Sequence, residues 1–284
     1  LLLEPRRLAA RGAAARMAAL LDEEVGQTVG LRARLGTRVG PATRIEVVTE
    51  GVFTRMILDD PSLQDVGCVL FDEFHERSLA SDTGLAFALE SRQGLREDLR
   101  LLVMSATLDT APVARLLADA PLILSEGRSF HVTTTYLGRD TRRGIDEQMA
   151  QAILRALRAE PGSVLAFLPG QSEIRRTEQR LADALAGLPE VDLVSLYGAL
   201  DLKAQDRAIA PAPPGRRKVV LSTAIAETSL TIEGVRVVVD SGLARVPRYE
   251  PDAGVTRLET VRVSRAAADQ RRGRAGRTEP GVCF

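Results

Sequence analysis

The sequence has 284 residues, enough for one large domain or two of ordinary size. Its 45% hydrophobic and 27% charged residues supply apolar material for two cores, and no apolar run reaches the roughly 20 residues of a membrane-spanning helix. The formal net charge is zero, so a nucleic-acid partner has to be sought in local patches rather than in the overall field. Lys203 and Lys218 are the only lysines; every other basic side chain apart from two histidines is arginine. Cys68 and Cys283 lie far apart, each beside apolar residues and without a metal-type neighbour, which fits a reduced, cytoplasmic protein. The opening Leu1-Leu2-Leu3-Glu4-Pro5 has no initiator Met, basic leader or cleavage site. It reads as a buried strand already under way, and a fragment of a longer chain is expected.

In chain order, a helical pattern over Leu8 to Leu21 is followed by the short apolar runs Ile45–Val48 and Cys68–Phe71. A helix is expected over Leu79 to Glu90 and a strand over Leu101–Met104. Turn-rich, polar sequence between Leu124 and Arg143 marks the domain boundary, and His131 to Tyr136 is a β-type stretch that would start the second domain. Helices over Ile145–Leu157 and Ser172–Ala186 alternate with strands over Val164–Phe167, Val219–Ser222 and Val235–Val239. Pro211-Ala212-Pro213-Pro214-Gly215 forbids regular structure and is expected as a surface loop. Continuous apolar strands alternating with helices predict an α/β fold with mostly parallel sheets, covered on both faces.

Several segments carry residues suited to phosphate chemistry. Glu4-Pro5-Arg6-Arg7 follows a strand and opens a helix, where arginines and helix-terminal amides suit phosphates; taken alone, a solvated helix start fits better. Thr49-Glu50-Gly51 similarly follows a strand. Val69-Leu70-Phe71 runs into Asp72-Glu73-Phe74-His75-Glu76-Arg77, so adjacent acids fall at the carboxyl edge of a sheet, where open α/β sheets bind ligands. Neighbouring strand residues point to opposite sides, so one acid can hold magnesium through its waters while the other orients or deprotonates an attacking water. An isolated Asp-Glu is more often a solvated strand end. A zinc site using His75 lacks the usual spaced ligands. Ser105-Ala106-Thr107 ends another strand, where small hydroxyls can bond nearby carboxylates or cap a helix.

In the second half, Phe167-Leu168-Pro169-Gly170 closes a buried strand, and Ser222 to Ile232 forms a long hydroxyl-rich run with potential phosphate donors. Gln270-Arg271-Arg272-Gly273-Arg274-Ala275-Gly276-Arg277 is the strongest signal. If it begins as a helix, Gln270, Arg274 and Arg277 share a face, and Gly273 and Gly276 let a ligand approach closely. Guanidinium forks stabilise charge on a transferring phosphoryl group; a basic nucleic-acid-binding loop fits the residues alone equally well.

Together and in this order, the segments resemble the motifs of DEAH-type RNA helicases of superfamily 2, over essentially the whole chain. Asp72-Glu73-Phe74-His75 looks like their Walker B box, with Phe74 in place of the usual Ala, as in one bacterial branch. The resemblance implies two tandem RecA-like domains, residues 1–126 and 127–284. It assigns Asp72 to magnesium, Glu73 to the catalytic water and His75 to coupling with the other domain. Gln270, Arg274 and Arg277 go to the γ-phosphate region, with Arg272 replacing the commoner Ala. Arg6 and Arg7 match motif Ia, and Thr49, Glu50 and Gly51 match motif Ib; both grip the nucleic-acid backbone. Ser105 and Thr107 belong to motif III, and Phe167 to Gly170 to motif IV. Thr223 and Ser229 in motif V would contact RNA, while Glu227, Thr228 and Asp240 would line the nucleotide site; Ala224 stands where many relatives carry Asn. Arg16 would stack on the base, although a surface arginine fits equally. Ile209 falls where eukaryotic relatives stack a Phe, and an aliphatic cover predicts weak discrimination among nucleoside triphosphates.

The family's phosphate-cradling loop, G-x-x-x-x-G-K-[ST], is absent, and neither lysine can supply it; the resemblance places it just upstream of Leu1. The expected parent is an ATP- and magnesium-dependent RNA helicase, monomeric, acting on single-stranded or duplex RNA and conceivably DNA. The alternatives are a truncated, non-catalytic nucleic-acid-binding remnant, and a translocase that remodels without unwinding.

Overall fold

The computed structural model describes all residues except 34–35, 107–110, 119, 126, 128–129 and 228–231. The chain divides into two compact units, Leu1–Ser125 and Glu126–Phe284. The division falls inside the polar stretch that the sequence marks as a boundary.

The first unit runs β1 (Leu2–Glu4), α1 (Arg7–Leu20), β2 (Val29–Ala33), β3 (Gly36–Arg38), β4 (Ile45–Thr49), α2 (Glu50–Asp59), β5 (Cys68–Phe71), α3 (Leu79–Gly94), β6 (Arg100–Val103) and α4 (Ala111–Leu116). Its six strands lie in the order β3-β2-β4-β1-β5-β6, and only the β2–β3 pair is antiparallel. Helix α1 turns Ala10, Ala14 and Ala18 onto Val29, Leu31 and Val47; the spacing of four puts these small side chains on one stripe and lets the helix sit close to the sheet. A second cluster joins Leu3, Val69 and Phe71 to Phe53, Ile57, Leu85 and Leu89 of α2 and α3. The side chain of Ser78 caps α3 by accepting from the Ser81 N–H at 2.9 Å.

The second unit runs β7 (Val132–Thr134), α5 (Ile145–Ala159), β8 (Ser163–Phe167), α6 (Gln171–Leu185), β9 (Val191–Leu196), α7 (Leu202–Ile209), β10 (Arg217–Ser222), β11 (Val235–Asp240), β12 (Leu243–Glu250), β13 (Val255–Arg262), α8 (Arg265–Gly273) and β14 (Gly281–Cys283). Six strands form a fully parallel sheet in the order β7-β14-β11-β8-β10-β9. Every residue of β8 is buried, as its unbroken apolar run predicts. Ile174, Leu181 and Leu185 of α6 meet Ile153, Ala156 and Leu157 of α5 over this sheet. Strands β12 and β13 stand apart as a two-stranded antiparallel ribbon, mostly exposed. The proline-rich stretch 211–215 is the loop between α7 and β10. Among the described residues no helix is long and apolar enough to cross a membrane.

Parallel strands end on a common edge. In the first unit Glu4, Thr49, Asp72 and Ser105 stand at or just past the carboxyl ends of β1, β4, β5 and β6; in the second, Phe167, Ser222 and Asp240 end β8, β10 and β11.

Candidate functional site

In the first unit the acids sit on a sharp turn. Leaving β5, Glu73 takes a left-handed conformation (φ 49°, ψ 34°), and after the short 3-10 turn Phe74–Glu76, Arg77 does so again (φ 49°). A left-handed non-glycine residue costs about 1 kcal/mol or more, so the surroundings must hold it. They do so through Phe74. Its N–H donates to the Met104 carbonyl at 3.0 Å, and its buried ring meets Phe71 edge-on at 6.3 Å. The phenylalanine at this position therefore pins the turn to β5 and to the end of β6.

Asp72 Oδ1 accepts the Glu73 N–H at 2.7 Å. Glu4, only 4% exposed, lies close to the Asp72 carboxyl, and its Oε2 has no hydrogen-bond partner. Burial first, then the charges of Asp72 and Glu73, push the Glu4 carboxyl up to about 8. Glu4 was thus a functional neighbour that sequence reading passed over, taking it only as the lead-in to the two arginines. The signal available was an acid following two apolar strand residues.

His75 is nearly buried. Its Nδ1 lies 3.2 Å from the Ala106 N–H and 3.5 Å from Glu73 Oε2. Accepting from Ala106 requires an Nδ1 without a proton. His75 and Ala106 are therefore in direct contact. Ser105 is exposed at the strand end, and Thr107 lies outside the described residues.

The nucleic-acid candidates of this unit divide. Arg7 and Arg16 are exposed on α1. Arg6 donates to Glu76 Oε2 at 2.9 Å, which ties the start of α1 to the acidic turn. Thr49 ends β4 and stands at the N-cap of α2, Glu50 opens that helix, and Gly51 is exposed in its first turn. Glu50 turns inward, where its Oε2 accepts from Ser78 Oγ at 2.7 Å, and burial raises its carboxyl above the ordinary range. Glu50 thus braces α2 against α3 and leaves Thr49 and Gly51 as the outward groups.

In the second unit Thr223 leads out of β10 into the 3-10 turn Ala224–Ala226, its N–H donating to Leu196 O at 3.3 Å; Thr228 and Ser229 lie outside the described residues. Ile209 is the last, half-buried residue of α7. Buried Lys218 donates to the carbonyls of Arg207 (3.4 Å), Ala208 (2.8 Å) and Ala210 at this helix end. A cation suits a helix C-terminus.

Gln270, Arg274 and Arg277 lie along one right-handed helical run. Helix α8 ends at Gly273, a 3-10 turn spans Arg274–Gly276, and the three side chains are half-buried, buried and exposed in that order. Arg274 donates Nε (3.0 Å) and Nη2 to the Glu227 carbonyl. Gly276 makes its close approach to the chain itself: a Cβ there would lie 2.6 Å from Phe130 O and 2.7 Å from Val132 Cγ2, whereas Gly273 faces open space. The buried face of α8 carries Arg271, which pairs with Glu227 and Asp240. Both acids were expected to line the nucleotide site, and both face an arginine that sequence reading left without a role.

Among the described residues no group of three or more His, Cys, Asp or Glu could hold a metal ion by itself. Asp72 beside Glu73 fits magnesium, which keeps several waters and takes one or two carboxylates together with substrate phosphates.

Comparison with known proteins agrees with this layout. Residues 146–279 match the family described as the helicase conserved C-terminal domain. Over 282 residues, 99% of its length, the chain is 56% identical to the ATP-dependent RNA helicase HrpB of Escherichia coli (strain K12), covering 35% of that protein. It is 36% identical over 285 residues to the ATP-dependent RNA helicase HrpA homolog of Haemophilus influenzae, covering 21% of it. The crystal structure of the E. coli DEAH/RHA helicase HrpB aligns with a TM-score of 0.93 at 56% identity over 99% of this chain and 36% of that one. A crystal structure of the E. coli DExH-box NTPase HrpB aligns with a TM-score of 0.84 and is covered to 35%. The chain spans about a third of the HrpB length. Over that third it is similar in sequence and in fold to these helicases.

Proposed function

We propose that the protein containing this chain hydrolyses nucleoside triphosphate, ATP above all, and couples the hydrolysis to movement along RNA or to its unwinding. One observation carries the reading: Glu73 is held in a costly left-handed turn, beside Asp72 on one side and a histidine bonded to the next strand end on the other. Strained, over-determined backbone of this kind collects at functional sites.

In this reading Asp72 holds magnesium through water, and the ion supplies charge neutralisation at the phosphates when bound. Glu73 orients the attacking water and takes its proton. Arg274 and Arg277, with Gln270, stabilise charge developing on the γ-phosphoryl group. Ile209 and Arg16 are the proposed base contacts. His75, bonded to Ala106, passes changes at Glu73 to the Ser105–Thr107 segment. Arg6, Arg7, Thr49, Gly51 and Thr223 grip RNA phosphates, which fixes position without reading sequence. Single-stranded or duplex RNA is the proposed substrate, with DNA as a weaker one. The protein would act as a cytoplasmic monomer.

The test is hydrolysis and strand separation measured side by side on the full-length protein. RNA-stimulated hydrolysis together with duplex unwinding is expected. Stimulated hydrolysis without unwinding would make it a translocase, and RNA binding with no hydrolysis would contradict the proposal.

A further inference from the structure

The largest fully buried side chain among the described residues is a cation, Arg271, at 1% exposure. Taking a guanidinium out of water is costly unless its charge and each of its donors are matched. Here the charge and four of the five N–H donors are matched. Nε and Nη2 each lie 3.1 Å from Glu227 Oε2, and Nη1 lies 2.8 Å from Asp240 Oδ1 and 3.1 Å from the Leu243 carbonyl. The guanidinium stacks over the Phe167 ring, 4.9 Å from its centroid. These partners come from four places in the chain: the turn after β10, the end of β11, the start of β12 and the end of β8.

Glu227 is held twice. Its carboxylate faces Arg271, and its main-chain carbonyl accepts Arg274. We infer that Arg271 is a positioning residue: through a buried ion triad with Glu227 and Asp240 it fixes the carbonyl on which Arg274 is seated, and so sets where the Arg274 guanidinium lies. The inference rests on the proposed role of Arg274 at the phosphate. It gives Glu227 and Asp240 a different task from the one their sequence positions suggest: they are counter-charges to Arg271, not nucleotide ligands. It also explains why the residue is arginine. A lysine carries the same charge but no planar fork, and it cannot meet Glu227, Asp240 and the Leu243 carbonyl together.

The test compares wild type, Arg271→Lys and Glu227→Gln in the full-length protein. Steady-state hydrolysis gives KM for ATP. A single-turnover rate constant with enzyme in excess gives the chemical step independently of the fraction of protein that is folded. The expected result for Arg271→Lys is a single-turnover rate lowered about tenfold or more with KM changed less than about threefold. Glu227→Gln keeps the shape of the side chain and is expected to give the same split, more mildly. The double variant is expected to be no slower than Arg271→Lys alone, since the two residues act as one unit. A raised KM with an unchanged rate would make Arg271 a nucleotide contact and overturn the inference; so would no change in either quantity. If Arg271→Lys fails to fold, Glu227→Gln decides by the same criterion. A wild type that hydrolyses nothing overturns the functional reading and this inference with it, whereas an active wild type with unaltered variants overturns the inference alone.

Discussion

The carboxyl edges of the two sheets are built alike from parallel strands, yet they handle charge in opposite ways. On the first, Glu4, Asp72, Glu73 and Glu76 crowd together, and Arg6 is paired with one of them, Glu76. Burial and that crowding push the Glu4 carboxyl up to about 8. On the second, the acids Glu227 and Asp240 are taken up by buried Arg271, and the arginines that follow complete a basic segment. One architecture thus supplies an acidic edge and an edge with a buried arginine, and strand order alone does not tell them apart. The difference lies in which charged side chain is buried: an acid under the first edge, an arginine under the second.

Removing a charge-stabilising arginine from the second half should have the largest effect of those considered next. Arg274→Ala is expected to lower RNA-stimulated kcat by about a thousandfold, the lower range for such residues. A loss below tenfold in steady-state hydrolysis would move Arg274 out of the chemistry and leave it as a brace for the turn after β10.

The first half depends on an aromatic wedge where the second depends on ions. Phe74→Ala should destabilise the first unit by about 3–5 kcal/mol, the usual range for a buried phenylalanine. Urea denaturation checks this, and a loss under about 1 kcal/mol would show that the turn is held by the Phe74 backbone bond alone.

The contrast in charge predicts a difference in pH response. The Glu4 carboxyl, raised to about 8 by burial and by Asp72 and Glu73, keeps its proton in the folded chain where the unfolded chain has lost it. In the metal-free protein, stability is therefore highest below the unfolded pKa and falls as pH rises towards about 8. Glu4→Gln has nothing to titrate there and should flatten the fall. Urea midpoints in chelator at roughly pH 5.5 and pH 8.5 should show the variant gaining on wild type at the higher pH; parallel slopes would contradict the shift.

The smallest effect concerns the base. Ile209 offers cover without π-stacking, so turnover of ATP and of pyrimidine triphosphates should agree within about threefold. A strong ATP preference in parallel kcat/KM measurements would give base recognition to another group.

Most of the framework was legible in the sequence because its strands are buried on both faces. Cys68–Phe71 and the run ending at Ser222 come out with the expected bounds or nearly so. The ribbon β12–β13 was not legible, because it is exposed on both faces and no apolar run marks it. The motif positions could be read one by one, but their side-chain partners could not. Nothing in the local pattern showed that the Glu50 carboxylate accepts from Ser78 or that Gly276 lies close to Phe130 O. Arg271, in the middle of the most conspicuous basic run, could not be told from its neighbours, because burial depends on how α8 meets β11 and not on the local pattern. The place where α8 gives way to a 3-10 turn was likewise not marked by the local pattern.

The central claim is that the acidic edge of the first unit performs the hydrolysis. The most direct measurement is RNA-stimulated ATP hydrolysis by the full-length protein with and without Glu73→Gln, a change that keeps the size of the side chain and removes its basicity. The account predicts stimulated turnover in the wild type that falls by about a hundredfold or more in the variant, with RNA binding retained. Turnover indifferent to the substitution would contradict it.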